Sequence, residues 1–212
     1  MANLKSGSPS TTAAQVHHAD RPRTHPEWLL FQWSLRALDV SDFSIEQMWV
    51  ELLWGVRLQE ALNSRLRECR LNRVRRPSTL NGYFERVASA LGPFLQVEPG
   101  QGPMALWSGP YDVAAYAQLQ GYTTLEGTPG GRVLARLELY RDAKAVAPLW
   151  KYLSREFVRR NPVGQAHVFV RAHNPRRPLY CRALPAVDKS APLRPTIWHP
   201  VSSEQLEVVG TR

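Results

Sequence analysis

The chain has 212 residues, with 43% hydrophobic and 21% charged side chains and 17 prolines, enough for one globular domain with an appendage and incompatible with wholesale disorder, collagen or a coiled coil. Lys and Arg outnumber Asp and Glu by 27 to 18, a net charge of +9 and an isoelectric point near 10.1, so the preferred partner is expected to carry negative charge. Two cysteines, Cys69 and Cys181, offer no disulfide framework or four-cysteine metal site, and no stretch approaches the ~18 apolar residues of a membrane span or the apolar core of a secretory signal.

Residues 1–26 are Ser, Thr, Ala, Pro and His with Leu4 and Val16 as their sizeable aliphatics, a composition that does not offset the entropy of ordering a backbone. They read as a flexible leader, and His17, His18 and His25, without a Cys or carboxylate cluster, read as part of a solvated tail rather than a metal site. Residues 27–99 read as a helical subdomain. Ile45, Met48, Trp49, Leu52, Leu53 and Val56 follow the i, i+3, i+4, i+7 pattern of one apolar face, Ser44 and Gln47 suggest a capping box at its start, and the helix must stop before Pro77. A further short helix carries Tyr83, Phe84, Val87 and Leu91 and is closed by Gly92-Pro93. Trp28, Trp33, Trp49 and Trp54, at helical spacing, are expected in the core. The run Arg65, Arg67, Arg70, Arg73, Arg75 and Arg76 is opposed by Glu68 alone. It reads as a solvated helix end meeting the macrodipole rather than as a nucleic-acid site, since no aromatic interleaving accompanies it.

After the turn cluster at 98–103 the character changes. Pro110 is expected to open a short helix ending at Gly121, Thr128-Pro129 to cap and start another, and Pro148 to open a third with Leu149, Trp150, Leu153 and Phe157 on one side. Ala166–Val170, Leu179–Leu184 and Leu206–Val209 then read as strands. Helices first and strands last is an α+β order, not doubly wound alternation. Residues 100–212 carry 15 basic and 8 acidic side chains against nine of each in 27–99, which assigns the anion-binding role to the C-terminal half.

The motifs of serine nucleophiles, zinc proteases, dithiol redox sites and phosphate loops are all missing from the text. What stands out are three pieces in order: Leu106-Trp107-Ser108, Thr124-Leu125-Glu126-Gly127-Thr128-Pro129, and Leu149-Trp150-Lys151-Tyr152-Leu153-Ser154-Arg155-Glu156-Phe157, followed by the apolar run His167-Val168-Phe169-Val170. Together they resemble the ADP-ribosyl cyclase and NAD glycohydrolase family, including its bacterial toxin members, over about residues 104–187. The resemblance implies a fold in which an N-terminal helical part packs against a short C-terminal sheet with helices, with 100–212 as the NAD-binding domain. It also implies cleavage of the nicotinamide–ribose bond of NAD, which is substrate rather than cofactor, without a metal. Trp107 and Trp150 would wall the departing ring, and Glu126 would hydrogen-bond the carboxamide and influence whether hydrolysis or cyclisation follows. Ser108, Ser154 and Arg155 would contact ribose or diphosphate, with Thr128 and Tyr180 also substrate-binding. Such a cleavage passes through an oxocarbenium-like state, which is why aromatic walls and a carboxylate belong together.

The family also places a catalytic glutamate near the end of a strand after the apolar one, and anchoring on Leu184-Pro185 puts Ala183 there. Ala183 then marks a Glu→Ala replacement that silences a toxic hydrolase, or a natural NAD-binding pseudoenzyme, or a site where Glu126, Glu204 or Glu207 serves instead. The expected role is that of an antibacterial toxin or effector depleting NAD in the cytoplasm of a target cell, with a cognate immunity protein and no membrane partner. The competing readings are a basic nucleic-acid-binding or nuclease domain and a catalytically dead interaction module. The leading reading expects Trp107, Glu126, Trp150 and Ser154 to converge on one cleft.

Overall fold

The computed structural model describes residues 26–71, 81–137, 143–162, 165–171 and 196–210, with side chains described throughout except at 66–71, 143–144 and 207–210. Helix α1 (Pro26–Arg36) buries Trp28, Phe31 and Leu35, and α2 (Asp42–Leu71) buries Ile45, Met48 and Leu52, in both cases the three-and-four spacing that sets one stripe toward a neighbour. Helix α3 (Gly82–Leu91) does the same with Phe84, Val87 and Leu91 and runs into a 3-10 turn at Gly92–Leu95. Phe84 packs closely against α2 because position 55 is glycine: a Cβ there would come within 2.4 Å of the ring. Asn81 fastens this contact. It is fully buried, its amide donates to Gly55 O at 2.9 Å, its carbonyl oxygen accepts from Phe84 N at 3.3 Å, and its backbone N–H donates to Tyr152 Oη at 3.3 Å. One residue thereby caps α3 and ties it to α2 through its side chain and to α6 (Ala143–Arg160) through its backbone N–H.

The C-terminal part holds a three-stranded sheet in the order β1 (Ala105–Ser108), β2 (Ala166–Val170), β3 (Thr196–Pro200), parallel throughout. Strand alternation divides two cores. Leu106, Ala166, Val168 and Val170 face the larger one, shared with α1, α2, α3, α6 and the buried Val133 and Leu134 of α5 (Pro129–Ala135). Ala105 and Phe169 face a smaller one with Val113 and Ala117 of α4 (Asp112–Leu119), Val201, and Leu206 of α7 (Ser203–Gly210). Each buried aliphatic or phenyl side chain contributes on the order of 1.5–3 kcal/mol. The larger core draws on both 27–99 and 100–212.

The chain is mixed α+β, mainly helical, with the strands distributed rather than collected at the end: β1 precedes α4, α5 and α6. Several local expectations change. The helix expected to start at Ser44 starts at Asp42, with the Ser41 hydroxyl accepting from Ser44 N at 3.3 Å and the Ser41 carbonyl accepting from Ile45 N at 3.0 Å. Gly92 does not stop the chain's winding; it is right-handed at φ −47° and passes into the 3-10 turn with Pro93 in its first turn. Pro148 lies inside α6 rather than at its start. The loss of its N–H is outweighed by a continuous apolar stripe, Ala145, Val146, Leu149, Leu153 and Phe157, buried on both sides of it. Leu206–Val209 is helix, not strand, opened by a reciprocal cap in which Ser202 N donates to Gln205 Oε1 at 2.8 Å and Gln205 N to Ser202 Oγ at 3.3 Å. Trp33 and Trp54 are exposed, whereas Trp28 is in the core and Trp49 packs against it. The expected strand Leu179–Leu184, residues 1–25 of the expected leader and positions 72–76 of the arginine run lie outside the described residues, while Pro26 already belongs to α1.

Candidate functional site

The geometry that brings Glu126 to Trp107 starts with the backbone. Ala105 N donates to Thr123 O and Thr123 N to Pro103 O, both at 2.9 Å, so the chain after α4 returns alongside the start of β1 as a short parallel bridge between Met104 and Thr123. It then winds into a 3-10 turn, Leu125–Gly127. Thr128 ends that turn and begins α5 with the same hydroxyl, which donates to Leu125 O at 2.6 Å and accepts from Gly131 N at 3.1 Å. Gly131 permits this closure, because a Cβ would lie 1.8 Å from the Leu125 carbonyl oxygen. The threonine–proline cap expected from the sequence is therefore present. Thr128, fully buried with its hydroxyl engaged in both directions, positions the turn.

The turn delivers a carboxylate into the protein. Glu126 is only 5% exposed, and the Trp107 indole N–H donates to its two oxygens at 3.0 and 3.2 Å. A buried carboxylate without such donors would be costly, and a donor shared between both oxygens fixes the plane of the group. Tyr111, leading into α4, meets the Trp107 ring edge-on with centroids 6.3 Å apart. Burial, and secondarily the Glu126 charge, push its phenol above the ordinary value. An indole, a phenol and an oriented carboxylate thus gather near the C-terminal end of β1, the end of a parallel sheet where ligands bind in open α/β folds.

The other expected site residues are distributed as follows. Ser108 is buried on the opposite face of β1 from Trp107, because successive strand residues alternate. Trp150 packs half-buried against the larger core, and the Ser154 hydroxyl donates to Trp150 O at 2.7 Å within α6. Helix α6 touches the 125–127 turn, and Arg155 projects outward as an exposed residue. Glu204 is exposed in the first turn of α7, and the Glu207 side chain, Tyr180 and Ala183 lie outside the described residues. The described strand that follows β2 is Thr196–Pro200, whose text contains no carboxylate.

The register of that strand creates a cluster that motif reading did not find. Trp107, Phe169 and His199 stand in one row across the sheet. His199 stacks on Phe169 at 4.4 Å with a 10° interplanar angle, and its Nε2 lies 3.0 Å from His167 Nδ1. Tyr122 packs against His167, Phe169 and His199 at 4.8, 5.0 and 5.4 Å. Burial and then the neighbouring His199 hold His167 below the ordinary histidine value. The only sequence signal was the alternation of His167 and Phe169 on one strand face. Among the described residues, no group of three or more His, Cys, Asp or Glu is placed to hold a metal ion, and no helix is long and apolar enough to cross a membrane. In comparisons with known proteins, the chain matches no family model, no curated protein and no solved structure.

Proposed function

We propose that the chain binds NAD at the C-terminal end of β1 and belongs functionally with the NAD glycohydrolases. The observation that carries this reading is the Glu126 carboxylate, buried and held by the Trp107 indole beside Tyr111. The pyridinium ring of NAD stacks on an aromatic wall, its carboxamide N–H donates to the Glu126 carboxylate, and the basic character of the C-terminal half favours the diphosphate. Scission breaks the bond between C1′ of the ribose and the pyridinium nitrogen, and the electron pair leaves with neutral nicotinamide. Water then adds to the oxocarbenium carbon and releases a proton. A carboxylate near the ribose lowers this barrier, and Ala183, at the position the resemblance gives to that carboxylate, accounts for a chain that binds NAD while turning it over slowly.

The test is release of nicotinamide from NAD, followed chromatographically beside binding read by quenching of tryptophan fluorescence. Binding without appreciable turnover is expected of the chain as written, with a gain of at least ~10²-fold on Ala183→Glu. Unchanged turnover in Ala183→Glu together with complete loss in Glu126→Gln would make Glu126 the principal catalyst, and absence of NAD binding would remove the reading altogether. Biologically the proposal is an antibacterial effector that depletes NAD in a target-cell cytoplasm and is restrained by an immunity protein.

A second reading, phosphodiester binding or cleavage, is favoured by one observation: two imidazoles 3.0 Å apart beside Tyr122 in the half of the chain with the basic excess. Neutralising six to ten phosphates would cost roughly 10³–10⁵ in affinity between low and moderate salt, whereas one diphosphate meets few charges. A steep salt dependence of RNA or DNA binding would favour this second reading.

A further inference from the structure

We propose that the outward faces of α1 and α2 form a docking surface for a basic amphipathic helix of a partner protein. Trp33 is 71% and Phe43 77% exposed, and they stand on either side of the connection between the two helices. Leu29 lies one turn before Trp33 on α1, and Val50 lies two turns after Phe43 on α2, each exposed as well. The opposite faces of both helices are already occupied, by Trp28, Phe31 and Leu35 on α1 and by Ile45, Met48 and Leu52 on α2. These outward residues lie opposite the core-facing stripes of two helices that pack against each other, and large exposed aromatics mark interaction surfaces.

The charge around them selects the occupant. Between Glu27 and Glu60 the chain carries six carboxylates (Glu27, Asp39, Asp42, Glu46, Glu51 and Glu60) against Arg36 and Arg57, while the rest of the chain carries 25 basic and 12 acidic side chains. The local cations are engaged: Arg36 donates to both oxygens of Asp42 at 2.7 and 2.9 Å, Arg86 from α3 donates to Glu51 at 2.7 Å, and the Arg57 guanidinium lies 5.4 Å over the Trp54 ring. Asp39, Glu46 and Glu60 are exposed, and Glu46 falls one turn from both Phe43 and Val50. The surface is thus an apolar face with an acidic rim on an otherwise strongly basic protein. An anionic bilayer would be repelled by that rim, and a second copy docking through the same face would set like charges together. An amphipathic helix whose apolar stripe is flanked by Lys and Arg satisfies both the aromatics and the carboxylates.

The experiment uses the full chain and a fluorescein-labelled helical peptide of Leu and Lys at amphipathic spacing, with a Leu and Glu peptide of the same pattern as its counterpart. Fluorescence anisotropy should show binding of the Leu/Lys peptide that weakens with salt. Trp33→Ser with Phe43→Ser should weaken it on the order of 30-fold or more, the loss of an aromatic anchor, with the thermal unfolding temperature unchanged because both residues are exposed. Glu46→Lys should weaken it independently of any apolar contact. Equal binding of the Leu/Glu peptide, or undiminished binding by the double variant, would overturn the proposal. It would also be overturned if the two aromatic substitutions instead abolished flotation with phosphatidylglycerol vesicles or self-association in sedimentation velocity.

Discussion

Replacing Trp107 by Phe keeps an aromatic ring on β1 and removes the indole N–H that reaches both oxygens of Glu126. The carboxylate is 5% exposed, so water does not readily take the place of the lost donor, and the cost is that of a hydrogen bond to a charged group, about 1.5–3 kcal/mol. In a chain of this size each kcal/mol lowers the unfolding temperature by about 2–4 °C, and Trp107→Phe is expected to lower it by roughly 3–12 °C. Part of that loss belongs to the smaller ring, and a double-mutant cycle separates the two contributions. In the Glu126→Gln background the same substitution removes a hydrogen bond to a neutral acceptor, worth about 0.5–1.5 kcal/mol, so a coupling of about 1–2 kcal/mol is expected between positions 107 and 126. Urea unfolding followed by circular dichroism measures all four corners. Zero coupling, or a Trp107→Phe protein as stable as the parent, would refute the claim that the indole holds the buried carboxylate.

Asn81→Ala removes the amide that bonds Gly55 and the oxygen that caps Phe84. A loss of about 2–4 kcal/mol in chemical unfolding is expected, whereas a loss under about 1 kcal/mol would mean that α2 and α3 are held by apolar packing alone. His167 should make stability depend on pH. His167 is held below its ordinary value when folded, so the unfolded chain binds more protons in the window between the two values. Its contribution is complete above the unfolded value near ~6.5 and is lost as pH falls through the folded one. His167→Gln should flatten the decline in unfolding temperature on the acid side, and an unchanged pH profile in that variant would rule His167 out as the titrating group.

What could be read from the text was what local chemistry decides. The apolar stripes of α2 and α3, the Thr128-Pro129 start of α5 and the strand Ala166–Val170 each carry their signal within a few residues. Where two signals competed, a single residue was given too much weight: Pro148 against the stripe that runs through it, and the β-branched Val208 and Val209 against the capping pair Ser202 and Gln205. Strands β1 and β3 went unread because β1 has only four residues, too few to establish a period, and β3 ends in proline. At the site, Trp107 and Glu126 are visible as residue types, but their hydrogen bond exists because the chain returns to bridge Met104 and Thr123. The meeting of His167 and His199 depends on strand register, which nothing local specifies.

The three parallel strands also set an order in time. β1, β2 and β3 begin at positions 105, 166 and 196, so no two of them can pair until a long intervening segment has been made and folded back, and such non-local pairing is intrinsically slow. The loop that joins Trp107 to Glu126 needs nothing beyond the turn at 124–128 and the bridge at Met104 and Thr123. On a growing chain, synthesised from the N-terminus, the segments that form α1 to α3 and the indole–carboxylate clasp are made before β2 has emerged. Residues 104–126 thus hold the contacts of the clasp within one short stretch, whereas the sheet it adjoins is closed by strands made about 60 and 90 residues later.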